Sequence, residues 1–234
     1  YQNESPTLWD VDFQTAVAQA EIEDRDCPGA YHHIRFAVDD GAEFVIATTR
    51  PEMLAACIAV VAHPDDERYQ PYFGKTATTP LFYANVPILP STHADPEKGT
   101  GILMVCTFGD SADVDWWKQS DLPIKQIVGR NGTLLPVTFG EEPFLSTNVS
   151  LAQNYYNELV GLRVNKAQRR IVELLQAEGS AVNGQHAALS QSPEIIEHPV
   201  KFYEKGDTPI ELIPTRQWFI NVLPYKKELL EQAD

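Results

Sequence analysis

The sequence predicts an α+β fold: a β-barrel-like core decorated by short helices. Three observations carry that expectation. Short β-like segments recur between residues 32 and 128, short helical pieces lie between them, and one region, Leu151–Ala177, is purely helical. The chain has 234 residues, of which 43% are hydrophobic and 22% charged, values typical of a folded domain that can bury a sizeable core. Near the start, Phe13–Ile22 (FQTAVAQAEI) is an amphipathic stretch ending in DRDCPG, where Pro28-Gly29 marks a turn. His32–Asp39 and Glu43–Ala47 flank Asp40-Gly41, the pattern of a hairpin. Further strands are expected at Ile58–Ala62, Thr76–Phe82, Val86–Leu89, Gly101–Thr107 and Ile124–Val128. Short helices are expected after Thr49, at Asp65–Tyr72 and at Asp110–Gln119. In Leu151–Ala177, Gly161 separates two helices and Gly179 is a stop; Val164, Ala167, Ile171, Leu174 and Leu175 share one face of the second. The tail, with Val200–Tyr203, a Lys205-Gly206-Asp207 turn, Ile210–Ile213 and Gln217–Val222, reads as a second hairpin.

Composition narrows the function classes. Lys and Arg total 18 against 33 Asp and Glu, a formal net charge of −15. Affinity for nucleic acid comes largely from cations on phosphates, so on composition alone the chain is a poor polyanion binder. The longest apolar runs, Ile58–Ala62 and Ile102–Cys106, fall far short of the roughly 20 residues of a membrane helix. The polar start YQNESPTLWD has no secretory pattern. Three cysteines without a C-x-x-C pair fit a reducing compartment. Six histidines without metal-ligand spacing argue for no metal site. Gly99-Thr-Gly101 lacks the Walker lysine and spacing, and no G-x-S-x-G elbow occurs.

Two stretches stand out as candidate sites. In Ile46–Met53 (IATTRPEM) a strand runs into Thr49-x-x-Glu52, the pattern of a capping box with Pro51 in the first turn. Thr48 and Thr49 hydroxyls, unpaired backbone N–H groups and Arg50 would meet there, an arrangement that suits phosphate or carboxylate oxygens. In Lys98–Asp113 an apolar strand delivers the chain to Thr107-Phe108-Gly109. Asp110 then serves as N-cap, and Asp113, at the third helical position, is left to hold an ammonium group or orient a water. Phe108 is a candidate ligand wall, whereas Trp116-Trp117 read as packing. Arg163, Lys166, Arg169 and Arg170 fall opposite the apolar stripe of their helix, the pattern of a solvated face.

Taken together, TTRPEML (Thr48–Leu54), AVVAHPDDERY (Ala59–Tyr69), GTGILMVCTFGDSADVDWW (Gly99–Trp117) and RQWFI (Arg216–Ile220) resemble the editing insertion of the valyl-tRNA synthetase family. This is the first connective polypeptide of a class I synthetase, and the Cys106–Asp110 run resembles its archaeal and actinobacterial type. LWDVDFQTAVAQAEIEDR resembles the lead-in from the synthetic domain. No HIGH-like or KMSKS-like signature occurs, so the resemblance implies an excised editing domain without the ATP-dependent site. It divides the chain into a lead-in segment (1–30), an editing core (31–195, helical at 151–178) and an outgoing β-hairpin segment (196–234).

The implied activity is post-transfer editing: hydrolysis of the ester of Thr-tRNA(Val), with some action on threonyl-adenylate. Resemblance places Asp113 on the substrate ammonium, with Asp110 binding the amino acid or a water. Thr48 and Thr49 would contact the ester and terminal adenosine. Arg50 would face the terminal nucleotide, and Glu52, Met104, Cys106, Thr107 and Phe108 would contact substrate. Arg163, Lys166, Arg169 and Arg170 would lie near the acceptor stem. Implied partners are the aminoacylated 3′ end of tRNA(Val) and the rest of the synthetase; the domain is expected to be cytoplasmic and monomeric, with no cofactor or metal of its own. A leucyl- or isoleucyl-type editing domain and a non-catalytic acceptor-end binding module stand as alternatives. Many bacterial members carry Lys and Thr where Met104 and Cys106 stand, and Thr at Met53. That leaves open which group reads the threonine hydroxyl, with Thr107 or Asp110 as candidates.

Overall fold

A computed structural model describes residues 1–109, 113–114 and 123–232, and within them the apolar alternation does lay down strands. In sequence order these are β1 (Gln2–Asp10), β2 (Thr15–Ala16), β3 (Ile22–Val38), β4 (Glu43–Thr48), β5 (Cys57–Ala62), β6 (Thr76–Thr78), β7 (Asn85–Pro90), β8 (Ile102–Cys106), β9 (Glu194–Tyr203) and β10 (Glu211–Trp218). The α-helices among the described residues are α1 (Val149–Asn157), α2 (Val164–Gln176) and α3 (Lys226–Glu231). Short 3-10 turns include Pro51–Ala56 and Gln70–Tyr72.

The main sheet runs β4-β3-β6-β7-β5-β8, with β9 added along the other part of β3. It is mixed: β5 and β7 are parallel, and the other pairings are antiparallel. The sheet curls until its ends, β4 and β8, lie close together, giving a half-barrel around an apolar interior. Ile34 and Phe36 of β3, Phe44 and Ile46 of β4, and Ile88 of β7 point into it. All six residues of β5 are buried, because one face joins this core and the other meets Ala94 and Val105 in a second, smaller cluster. This is the expected α+β architecture.

Several elements follow the sequence reading. The β3–β4 hairpin turns at Asp40-Gly41, with Gly41 at φ 86°, which only glycine adopts easily. Helices α1 and α2 occupy the predicted region, and Ala167, Ile171, Leu174 and Leu175 are the buried face of α2.

Others differ. Phe13–Ile22 forms the two-residue β2 and a 3-10 turn rather than a longer element, and Phe13 is exposed. Ile124–Val128 contributes one bridge, Val128 to Leu134, and no strand. The tail hairpin is closed by a single antiparallel bridge, Phe202 to Pro209; outside it β9 pairs with β3 over ten positions, while β10 pairs with β1. The intervening turn sends the two strands to different partners, because each finds a longer ladder elsewhere than it would with the other. Strand β3 runs unbroken past residue 30, and β9 past residue 195. Most of the helix expected at Asp110–Gln119 lies outside the described residues, as do Trp116 and Trp117; Asp113 and Val114 are helical.

The HPDDERY segment acts as a latch. Arg68 donates to both Asp66 carboxylate oxygens (2.8 and 2.6 Å) and to Pro96 O (2.9 Å), while the Tyr69 hydroxyl donates to Thr100 O (2.6 Å). Gly101 sits against this latch at φ +79°, where a Cβ would lie 2.4 Å from Arg68 Nη2 and 2.8 Å from Pro96 O. The glycines of Gly99-Thr-Gly101 therefore serve backbone geometry. Gly101→Ala is expected to lower stability by about 1–3 kcal/mol, read from the midpoint of a urea unfolding curve; an unchanged midpoint would remove the steric argument.

Candidate functional site

Strands β4 and β8 end side by side, and the loops that follow them build the site. After β4 the chain makes the 3-10 helix Pro51–Ala56, every residue of which is buried, with α2 packed over it. The predicted capping box does not form. Arg50 is the N-cap, Thr48 Oγ1 accepts the Arg50 amide (3.0 Å), and Glu52 turns to the Arg50 side chain instead. A buried carboxylate gains more from a guanidinium than from one backbone N–H.

Arg50 is the hub. Its Nε donates to Glu52 Oε1, its Nη2 to Glu211 Oε2 and its Nη1 to the Gly109 carbonyl, each at 2.8 Å. Glu52 is wholly buried and Glu211 nearly so, whereas the Arg50 side chain is 24% exposed. Desolvation opposes the arginine charge, but Glu211 and Glu52 outweigh it and hold its pKa above the ordinary value. Burial pushes the Glu52 carboxyl up, with Arg50 pulling the other way, and among the described residues Glu52 Oε2 has no hydrogen-bond partner. Two carboxylates on one guanidinium leave no spare positive charge. The expectation of Arg50 as a cation facing a nucleotide, with Glu52 contacting substrate, is replaced by a clamp in which they hold each other.

The clamp reaches the second stretch through one peptide. The Gly109 carbonyl is on Arg50, and its amide donates to Asp113 Oδ2 at 2.9 Å. A Cβ at Gly109 would stand 2.7 Å from that carboxylate oxygen, so the close approach needs glycine. Asp113 is thus tied to the Gly109 turn rather than left free by an Asp110 cap. Asp110 itself lies outside the described residues.

Behind this turn the core becomes polar. Cys106 faces Cys57 across the β5–β8 ladder, where the register shifts between Cys57 and Ala59. Each thiol donates to a backbone carbonyl at 3.4 Å, Cys106 to Met53 O and Cys57 to Ala59 O. Burial, with Cys57 and Asp113 adding to it, keeps the Cys106 thiol neutral by raising its pKa well above the ordinary value. Thr107 and Phe108 are buried, and the peptide between them is cis. Met104 is partly buried against the main core.

Lys125, which sequence reasoning passed over, completes the group. Its amide donates to Thr107 Oγ1 (2.6 Å), and its ammonium donates to the Cys57 carbonyl (2.9 Å) while the residue is 6% exposed. Burial lowers its pKa, against the thiols of Cys57 and Cys106 and the Glu142 carboxylate, which favour its charge. The available signal was a lysine inside an apolar run, Ile124-Lys-Gln-Ile127. Glu211 carried no such signal.

Thr48, Arg50, Glu52, Cys106, Thr107 and Asp113 therefore do come together, with Thr49 half-buried beside them. The basic run does not join them. It lies on the outer face of α2, where Arg163 approaches Asp12 (3.6 Å), Arg170 pairs with Glu158 and Glu173, and Lys166 and Arg169 are exposed. Among the described residues no group of three or more His, Cys, Asp or Glu is placed to hold a metal ion, and no helix is long and apolar enough to cross a membrane.

Two outcomes follow from this electrostatics. Arg50→Met strands two buried carboxylates and is expected to lower stability by about 3–5 kcal/mol at pH 8. The deficit should shrink toward pH 5, since Glu52, whose pKa burial raises, binds its proton more readily folded than unfolded. A pH-independent deficit in urea titrations would refute the charge argument. Lys125 has the opposite sign: its lowered pKa means that the unfolded chain binds its proton more tightly, so it costs stability at neutral pH and less as pH rises toward the ordinary lysine value. Lys125→Met should therefore match or exceed the parent's melting temperature at pH 7, with that advantage falling by pH 9.5.

No protein-family model matches the chain. The valine–tRNA ligase of Thermobifida fusca is 50% identical over 220 residues, which are 94% of this chain and 24% of that enzyme. That of Leifsonia xyli is 47% identical over 232 residues, 99% of this chain and 25% of the enzyme. The Salinispora arenicola enzyme is 48% identical over 220 residues, again 94% and 24%. The chain spans about a quarter of the length of these relatives. Among solved structures, the Agrobacterium radiobacter K84 agnB2 LeuRS, in a ternary complex with tRNA and LeuAMS, aligns at a TM-score of 0.38 and 15% identity over 54% of this chain and 26% of its own. By its identity to the valine–tRNA ligases along nearly its full length, the chain belongs to the valyl-tRNA synthetase family, as a segment of about one quarter of a member.

Proposed function

We propose that this segment is the editing domain of such an enzyme, and that it hydrolyses the ester of threonine wrongly attached to tRNA(Val). The observation that carries the reading is the Gly109 peptide. Held at its carbonyl by Arg50, it fixes Asp113 beside a buried polar group in an otherwise apolar half-barrel. A fold does not maintain such groups in its core without cost.

The chemistry explains the need. Valine and threonine are near isosteres, and an apolar pocket rejects an added hydroxyl only weakly. A second site that hydrogen-bonds the hydroxyl accepts threonine and leaves its own polar groups unpaired with valine. In this reading the Asp113 carboxylate holds the substrate α-ammonium. Thr48 and Thr49 contact the ester and the terminal adenosine, and Met104, Cys106 and Phe108 wall the amino-acid side. Water, positioned by threonine hydroxyls, Asp110 and the free ribose hydroxyl, adds to the ester carbonyl. The carbonyl–ribose oxygen bond breaks, the ribose oxygen takes a proton, and threonine leaves as the free acid. Arg50, Glu52 and Glu211 position this machinery without touching substrate. Threonyl-adenylate offers the same acyl group and is a second substrate.

The net charge of −15 suits a domain that holds only the acylated 3′ end while the remainder of the enzyme grips the tRNA. Lys166 and Arg169, exposed on α2, would meet the acceptor stem. Trp218 (78% exposed), at the end of the β1–β10 ladder, and Ile220 (87%), just past it, suit contact with the rest of the synthetase. The reaction needs no cofactor here; ATP serves the synthetic site elsewhere.

In the full-length ligase, Asp113→Ala is expected to lower kcat/KM for deacylation of Thr-tRNA(Val) by about 30-fold or more, the loss of a buried charge pair. Unchanged hydrolysis would reject the role of Asp113. Faster action on norvalyl-tRNA(Leu) or Val-tRNA(Ile) than on Thr-tRNA(Val) would assign the domain to the leucyl or isoleucyl type, and binding without hydrolysis would make it an acceptor-end module.

A further inference from the structure

Discrimination between threonine and valine requires a hydrogen-bond donor or acceptor inside the pocket, and the apolar wall offers few. Met104 has none. The Cys106 and Cys57 thiols, weak donors, already point at the Met53 and Ala59 carbonyls. The Thr107 hydroxyl oxygen accepts the Lys125 amide, which leaves it a single neutral O–H donor. Lys125 differs: its ammonium carries three N–H donors, and among the described residues the Cys57 carbonyl is the one acceptor on it. It stands at the bulge in β5, where the ladder is interrupted and the Cys57 carbonyl faces the interior. Cys106 pairs across the ladder with Cys57, whose carbonyl holds Lys125, and lies three residues before Gly109, whose amide holds Asp113. An amino acid whose ammonium sits on Asp113 would thus send its side chain past Cys106 toward Lys125.

We infer that Lys125 is the residue that reads the substrate hydroxyl, donating one N–H to threonine while keeping another on the Cys57 carbonyl, so that valine leaves a buried donor unpaired. This rests on the editing function proposed above and names its specificity determinant. The cation reaches the pocket from the segment after residue 122 instead of from the β8 position occupied by Met104. The desolvation of a lysine in this core, with one acceptor on it among the described residues, is then the cost of selectivity.

The test is Lys125→Met in the full-length ligase, with deacylation of Thr-tRNA(Val) and Val-tRNA(Val) measured side by side. Loss of a hydrogen bond from a charged donor predicts a fall in kcat/KM for the threonyl substrate of roughly 10- to 100-fold, with far less change for the valyl one. Lys125→Gln, which keeps a donor, is expected to fall between. A second measurement separates reading from folding. Non-hydrolysable 3′-amide analogues of threonyl- and valyl-adenosine are bound to each variant, and in Lys125→Met the threonyl preference should vanish through weaker threonyl binding. Intact threonine–valine discrimination in Lys125→Met, with hydrolysis still lost in Asp113→Ala, would overturn the role of Lys125 and leave the editing function standing. Equal losses on both substrates would overturn it as well, as would transfer of the discrimination defect to Thr107→Val. A parent enzyme that does not hydrolyse Thr-tRNA(Val) would reject the editing function itself.

Discussion

One guanidinium joins the two candidate stretches of this domain and ties them to the second sheet. Arg50 comes from the end of β4, Glu52 from the 3-10 turn after it, Gly109 from the loop after β8, and Glu211 from β10 in the other sheet. Each partner alone would be an expensive burial: a carboxylate in a low-dielectric interior loses several kcal/mol of hydration, about as much as the ion pair returns when its geometry is good. The arrangement is stable only when all four segments are in place. The clamp is therefore a coincidence detector for correct assembly, and Asp113 inherits its position through the amide of the same Gly109 whose carbonyl Arg50 holds.

The interior of the half-barrel shows the opposite economy. Most of it is well-packed apolar surface, including the stacked rings of Phe82 and Phe139 and the nearby Tyr156, whose hydroxyl donates to Leu135 O. Against that background, Lys125, beside the paired Cys57 and Cys106, is an anomaly that lowers stability without strengthening the core. Departures of this kind concentrate where function overrides folding. They lie next to Thr107 and within reach of Asp113, on the side of the sheet interrupted by the β5 bulge, and not scattered through the molecule.

The legible parts of the fold were those with local causes. The β3–β4 hairpin is written in alternating apolar residues around Asp40-Gly41, α2 in the spacing of Ala167, Ile171, Leu174 and Leu175, and β5, β7 and β8 in short apolar runs. What misled was equally local. Thr49-x-x-Glu52 has the spacing of a capping box, yet Glu52 is recruited by an arginine whose second carboxylate lies 161 residues further along the chain. Ile124–Val128 alternates like a strand but finds no ladder beyond a single bridge. Propensity cannot anticipate such competition, because the winning partner is absent from the window being read.

By itself the sequence determined the class of fold, the family, and the two stretches around Thr48–Glu52 and Cys106–Asp113 that meet at the site, since these depend on periodicity and motif. Only the tertiary structure decided what the charged residues do. It closed Arg50 on Glu52 and Glu211, tied Asp113 to Gly109, and brought Lys125 under the Cys57 carbonyl. It also parted β9 from β10, sending them to β3 and β1. The reason is physical. Hydrophobic patterning acts along a segment and survives in the one-dimensional string, whereas the worth of a charge depends on desolvation and on partners that adjoin it only after folding.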